Sequence, residues 1–453
     1  MTLSAGQEAL WLAHQLDPDS SAYNVVLAVR LRDPVRTDVL QDALTAIAAR
    51  HELLRSRFPA TGEGPARETL PPGSVRLVVR ETPEADDREL FRLARLAGEE
   101  PFRLAEEGAF RAVLLRRAAA DAVLVTTTHH IVSDATSQWL LVRDLFAEYG
   151  ARTGASGPVG TAAAGDWDAY VRAERDFVAS ARGRRAAAHW RSVCAGLRAA
   201  ELPTDRPRPP QRTLTGATHE FVLDGETAAR LRQVPASRGL TPFAWLLGAF
   251  QAALYRSGAG DGFLIGCPAT TRLTPGTREA VGYYVNALPV AARLTPTTTV
   301  LEAAESAGRQ LRAGLAHVRL PVELLPGGPA RGPLFRISCT LVAADRLPVE
   351  GLYAGTVRLG GLRAELCDVP QQEGQLDLTV EVLQDSRGFR AVLRYNTDLF
   401  DAATVERFGA TWRRLVETSL DAPDTPAADV ALVAGDDLDF LLALGSAPGT
   451  DAP

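Results

Sequence analysis

Apolar positions along the chain fall into two periods, near 2 and near 3.6, and the switches between them predict alternating strands and helices. In the first half, residues 7–15, 38–50 and 87–97 carry helical spacing, the second of them through Leu40, Leu44 and Ile47. Between and after these helices, residues 24–31, 75–79, 110–115 and 122–128 are β-branched or apolar runs that predict strands. A helix then opens at Ala135 with Trp139, Val142, Phe146 and Tyr149 on one face, and a further helical region runs from Asp166 to about Leu197. The second half repeats the alternation without repeating the sequence. It has strands at 219–223, 263–267, 288–294 and 334–342, and helices at 224–238, 242–255, 300–317 and 402–419. Two strands, 376–383 and 389–395, are joined by the turn Asp385-Ser386-Arg387-Gly388. The pattern predicts an α/β protein.

The most informative place is the junction after 122–128, where both alternating faces of a strand are apolar, as in a strand buried on two sides. There the sequence reads Thr128-His129-His130-Ile131-Val132-Ser133-Asp134-Ala135, with Ser133 and Asp134 where a helix N-cap belongs. Two histidines at the end of a buried strand, with a carboxylate shortly after, form an acid–base constellation. Imidazole accepts protons near neutral pH, and the positive end of the following helix disfavours the charged ring.

At 453 residues the chain exceeds one compact core and suits two lobes of roughly 150–250 residues each. No apolar run is long enough to span a bilayer, and no secretory signal precedes residue 30, which points to a cytoplasmic protein. The net charge of −6 gives no reason to expect nucleic acid as a partner. Cys194, Cys267, Cys339 and Cys367 lie far apart without ligand spacing, so they are expected as reduced core thiols, and no metal site is expected. The chain contains no lysine, which excludes Schiff-base chemistry, pyridoxal-phosphate attachment and the P-loop lysine together. Glycines 258, 260 and 262 fail the dinucleotide spacing and read as a turn.

Several separated segments, in order, resemble the condensation domain of a nonribosomal peptide synthetase, within the chloramphenicol-acetyltransferase-like fold. Leu3-Ser4-Ala5-Gly6-Gln7-Glu8-Ala9-Leu10-Trp11-Leu12 resembles the family's opening motif, and Arg50-His51-Glu52-Leu53-Leu54-Arg55-Ser56-Arg57-Phe58 its second. His129 to Ala135 matches the HHxxxDG signature except that Ala135 replaces the glycine. Val281-Gly282-Tyr283-Tyr284-Val285-Asn286, Leu320-Pro321-Val322-Glu323, Gly332-Pro333-Leu334-Phe335 and Tyr395-Asn396-Thr397-Asp398-Leu399-Phe400 complete the series. The likeness runs from Leu3 to about Val433.

The resemblance implies two lobes in a V, each a mixed β-sheet flanked by helices, with a tunnel between them. The lobes are expected at 1–178 and 179–453, with a floor loop at about 266–286 and a segment crossing between lobes at about 358–375. It also implies amide formation between a donor acyl thioester and an acceptor aminoacyl thioester, each on the phosphopantetheine of a separate carrier protein. No cofactor is then bound by this chain itself, which is expected to be a monomer. His130 is the expected catalytic residue, and His129 supports the loop. Asp134 is expected to hold the loop through an ion pair with Arg55 or Arg272. Ser137, Gly282, Tyr284 and Asn286 are placed along the tunnel, with core packing equally open for Tyr284. The methyl of Ala135 is expected to narrow the channel or re-aim a substrate, leaving an active enzyme with altered substrate use.

Three alternatives share this fold: an epimerisation domain, a free-standing acyltransferase, and a catalytically silent module that recruits a partner. The opening motif at 3–12 argues against the first, and retention of His130 against the last. Leu359-Gly360-Gly361-Leu362-Arg363 begins like a carrier attachment site but lacks the serine. The tail 441–453 resembles the start of a linker to a downstream adenylation domain, which favours an excised piece over a free-standing protein.

Overall fold

The computed structural model of the chain describes residues 1–155, 165–209, 214–325, 333–349, 351–367, 369 and 374–432. The tail 441–453, residues 156–164 ahead of the expected helical region, Gly332, and residues 368 and 370–373 of the crossing segment lie outside them.

Two mixed sheets form the frame. The first has six strands in the spatial order Val357–Leu359, Leu362–Cys367, Asn24–Leu31, Asp121–His129, Phe110–Ala118 and Leu77–Glu81. All neighbours in it are antiparallel except the last pair. Asp121–His129 (called the histidine strand) is central, and its side chains alternate as period 2 requires. Ala122 and Leu124 face a core with Leu44, Leu141 and Phe146, from the helices Thr37–Arg50 and Ala135–Thr153. Val123 and Val125 face the opposite core with Leu90 and Ala94 of the helix Asp87–Glu99. Both faces are covered, hence the continuous apolar run.

The second sheet follows the order Gly216–Leu223, Phe389–Asn396, Leu378–Gln384, Ile337–Ala343, Gly262–Thr270 and Val285–Arg293, with the short strand Arg198–Ala199 beside Gly262–Thr270. One face packs on the helices Pro242–Arg256, Val300–Leu315 and Ala402–Asp421 around Trp245, Phe250 and Trp412. The expected helical region from Asp166 is two helices, Trp167–Ala179 and Ala181–Val193, because Ser180 leaves the helical conformation and its hydroxyl caps the second at Gly183 N–H (3.1 Å). Trp167 packs with Leu3 and Ile131, whereas Trp190 packs with Leu288 and Val318 of the second half.

Two expected segments take a more specific form, and the one expected to cross between lobes contributes strands from the second half of the chain to the first sheet. Val357–Leu359 and Leu362–Cys367 are strands of the first sheet, the latter paired antiparallel with Asn24–Leu31 from Ala28↔Cys367 to Leu31↔Ala364. Gly360 (φ +56°) and Gly361 (φ +87°) form the two-residue turn between them, a left-handed pair that a side chain would oppose. That turn accounts for the glycines that resemble a carrier attachment site. The expected floor loop at 266–286 is narrowed. Residues 266–270 and 285–286 belong to a ladder running from Gly266↔Pro289 to Thr270↔Val285, so only 271–284 leave the sheet as the tip of a hairpin.

Candidate active site

The histidine strand stops at His129, and residues His130–Val132 make a single tight turn before Asp134 caps the helix Ala135–Thr153. The main-chain N–H of His130 donates to the Tyr23 carbonyl at 2.7 Å, and the Ile131 carbonyl accepts from the Gln7 amide at 2.8 Å. Gln7 Oε1 accepts in turn from Trp167 Nε1 at 3.0 Å. The turn is thus pinned on both sides. Gln7 and Tyr23 are supports that residue-by-residue reading missed, although Gln7 stands in the opening motif and Tyr23 just ahead of the strand Asn24–Leu31.

His130 is half-buried, and its Nδ1 lies 2.7 Å from the Ser133 carbonyl oxygen. A carbonyl can only accept, so Nδ1 carries the proton and Nε2 of the neutral ring keeps its lone pair. The ring meets Tyr283 edge to face, with centroids 5.3 Å apart.

His129 has a different role. It is buried against His14 and Phe102, and its Nδ1 accepts the Ile131 N–H at 3.1 Å. Loss of solvation, reinforced by His14, holds its pKa well below the ordinary 6.5. Unfolding releases a ring that protonates near 6.5, so the unfolded chain binds more protons as the pH drops below that value. Stability is therefore complete above about pH 6.5 and is lost below it, by at most about 1.4 kcal/mol per pH unit for one ring. Glu174 acts in the opposite sense: burial raises its carboxyl, so its contribution is lost as pH rises. Thermal midpoints taken between about pH 7.5 and 5.5 should fall, and fall less steeply in His129→Asn. Identical slopes would remove this account.

Asp134 joins the two sheets. Its Oδ1 accepts from Ser137 N (2.7 Å) and Arg272 Nη2 (2.7 Å), and its Oδ2 accepts from Tyr284 N (3.0 Å). The ordinary N-cap and the ion pair coexist on one carboxylate. Arg272 is buried with it; it also donates to the Thr277 and Ala280 carbonyls and lies over the Tyr284 ring, 4.6 Å from the centroid. Of the two expected partners, Arg55 is ruled out: its guanidinium donates to the Ala48 and Leu70 carbonyls, within its own part of the first lobe.

Two expected tunnel residues, Ser137 and Gly282, are corrected as well, and Tyr284 takes its core-packing alternative. The Ser137 hydroxyl is wholly buried, accepting from Gly282 N (3.0 Å) and Arg272 Nη2 (2.7 Å) while donating to Gly282 O (2.9 Å). Gly282 is buried beneath Trp167, and Tyr284 packs against Trp167 and Tyr170. These residues clamp the hairpin tip onto the histidine turn and do not line a passage. Asn286 is buried too, its amide donating to the Val318 (2.7 Å) and Leu320 (2.6 Å) carbonyls and its oxygen accepting from Val322 N (3.0 Å). It braces the Leu320–Glu323 segment and lines a narrow polar cleft, with room for about one water, together with Glu174, Thr271, Tyr283 and Glu323. Ala135 sits at the first helical position, exposed and at negative φ, so the methyl imposes no backbone strain.

The family model for the condensation domain matches residues 1–442. The chain belongs to the condensation-domain family. It is 30% identical to phosphinothricin tripeptide synthetase PhsC of Streptomyces viridochromogenes over 100% of this chain and 42% of that protein. It is also 30% identical to a linear gramicidin synthase of Brevibacillus parabrevis, over 90% of this chain and 8% of that one. The condensation domain thus spans less than half the length of these relatives. Among solved structures, the X-domain from teicoplanin biosynthesis superposes with a TM-score of 0.85 at 25% identity, covering 95% of this chain and 97% of that one. The first condensation domain of the calcium-dependent antibiotic synthetase, in complex with a substrate analogue, superposes at 0.76 and 25% identity, over 96% and 99%. The mixed α/β architecture is that of the chloramphenicol-acetyltransferase-like fold. Condensation domains are amide-forming acyltransferases that act on carrier-bound substrates in nonribosomal peptide synthesis. No described helix is long and apolar enough to cross a membrane.

Proposed function

We propose that this condensation domain joins the α-amine of an acceptor aminoacyl thioester to the carbonyl of a donor acyl thioester. Each substrate rides on the phosphopantetheine of a separate donor or acceptor peptidyl carrier, and a downstream adenylation domain belongs to the same assembly in the cytoplasm. The protein acts as a monomer in this reading, and it binds no cofactor of its own. The lobes are taken as 1–178 and 179–453, with the hairpin tip at 271–284 between them.

One observation carries the assignment of His130: the 2.7 Å contact from Nδ1 to the Ser133 carbonyl, which leaves Nε2 as the ring's acceptor. A free α-amine has a pKa of about 7.7–8.0, so much of it is neutral at physiological pH. As the C–N bond forms, the amine must shed one proton, and Nε2 is placed to accept it. Collapse of the tetrahedral adduct then breaks the C–S bond, and the departing thiolate takes up a proton. Positioning of the two thioesters supplies roughly 7–11 kcal/mol and base assistance about 10²–10⁴-fold. A hydroxyl nucleophile, which must be deprotonated, would lean on Nε2 much more.

Purified protein, supplied with acyl-carrier donor and aminoacyl-carrier acceptor, tests the reading by mass spectrometry of the acceptor carrier. Amide on that carrier supports it. Likeness to the teicoplanin X-domain, which has also been solved in complex with OxyB, favours one second reading, a recruitment module. Tight binding of a partner protein without any amide product would select it.

The exposed methyl of Ala135 yields a further expectation. Ala135→Gly should cost no more than about 1 kcal/mol of stability, as for glycine in a helix interior, and should alter which acceptors are used. An unchanged rate and product spectrum would make the methyl incidental.

A further inference from the structure

Glycine at position 6, in the first turn of the helix Ala5–Leu16, has a steric reason. A Cβ built there would stand 2.4 Å from Tyr283 Cε1 and 3.1 Å from Cδ1, and its three nearest neighbours are all atoms of that ring. Tyr283 therefore lies where a side chain on residue 6 would otherwise be. The same ring meets the His130 ring edge to face, and the residue lines the polar cleft that holds Glu174 and Glu323. Tyr283 is thus shared by the imidazole and the cleft. Its hydroxyl makes no hydrogen bond among the described residues, and burial raises its pKa, so the side chain offers bulk and no charge.

We infer that Tyr283 determines acceptor specificity, its ring limiting the size of the group that adjoins the nucleophilic nitrogen at His130, with Gly6 as the space that lets the ring lie there. The inference rests on the condensation reading. The acceptor side is chosen over the donor side because the ring abuts the His130 imidazole, whose Nε2 is the atom left to take the proton of the attacking nitrogen. Tyr283 is a specificity-determining residue in this account. The proton is handled by His130.

The test compares glycyl, alanyl, leucyl and phenylalanyl acceptor carriers at a fixed donor, reading kcat/KM for each. Tyr283→Ala should raise the ratio for large over small acceptors by at least about tenfold, the lower end of what a methylene-scale change in pocket size yields. Tyr283→Phe should keep the wild-type profile, since size and not the hydroxyl sets the limit. Gly6→Ala should shift the profile in the wild-type background and have no further effect in Tyr283→Ala, because the ring it collides with is gone. Its helix propensity favours folding. A uniform loss across all acceptors, a profile that moves with the donor instead, or a Gly6→Ala effect that persists without the ring would each overturn the inference. Failure of the wild type to form amide with any acceptor would instead bring down the condensation reading beneath it.

Discussion

Replacing His130 with alanine is expected to lower amide formation by about 10²–10⁴-fold, the range a positioned base supplies, while leaving the protein folded. The separation of the two effects follows from the surroundings of the ring. It is half-buried, and its losses on truncation are one hydrogen bond to the Ser133 carbonyl and one edge-to-face contact with Tyr283. Each is worth about 1 kcal/mol, a small part of the stability of a large domain. The turn itself is held by main-chain and Gln7 contacts that the substitution does not touch. Turnover with amine acceptors measured against pH provides the discriminating readout: the variant should lose the dependence on a base while keeping a residual rate from positioning. Unchanged turnover at unchanged thermal stability would show that Nε2 has no part in proton handling.

Much of this site was legible before the fold was known, and the reasons are local. A strand covered on both faces must be apolar throughout, and an aspartate ahead of a helical period must cap. Those two rules located His129, His130 and Asp134 at a strand end and a helix start. What local rules cannot reach is the choice of partner across the chain. Nothing near Asp134 distinguishes Arg272, 138 residues away, from Arg55. The interlock of Ser137 with Gly282 spans 145 residues, and a serine in the first turn of a helix carries no mark of it. Strands 357–359 and 362–367 are short and interrupted by two glycines, so their periodicity is too brief to register, and only pairing with Asn24–Leu31 makes them strands. The floor loop at 266–286 came from the resemblance alone, and the pairing of 266–270 with 285–289 across the hairpin is a long-range register that no local period reveals. Gly6 looks like a weak helix residue until Tyr283 is seen against it.

Removal of the Asp134 carboxylate is expected to act on stability first. Asp134→Ala leaves a buried guanidinium without its counter-charge, a change that costs about 3–5 kcal/mol when one partner of a buried pair is lost. It also strips the acceptors from Ser137 N and Tyr284 N, the cap of one helix and the anchor of the hairpin tip. Asp134→Asn should fall between wild type and Ala, because an amide oxygen can still accept one of those N–H groups but cannot balance Arg272. The pairwise part is isolated by adding Arg272→Met to Asp134→Ala. With the stranded charge removed, the double variant should be less destabilised than the sum of the singles by about 1–3 kcal/mol. Additive losses would mean that the pair is incidental and the cap carries the whole effect. The same series separates Asp134 from chemistry. At a temperature well below the lowered midpoint, Asp134→Asn should lose less turnover than His130→Ala, since its carboxylate oxygens are spent on Ser137, Arg272 and Tyr284 with none facing the nucleophile. A fully stable Asp134→Asn protein with turnover as low as His130→Ala would reverse the assignment, making the aspartate a participant in the reaction and the clamp a by-product of its placement.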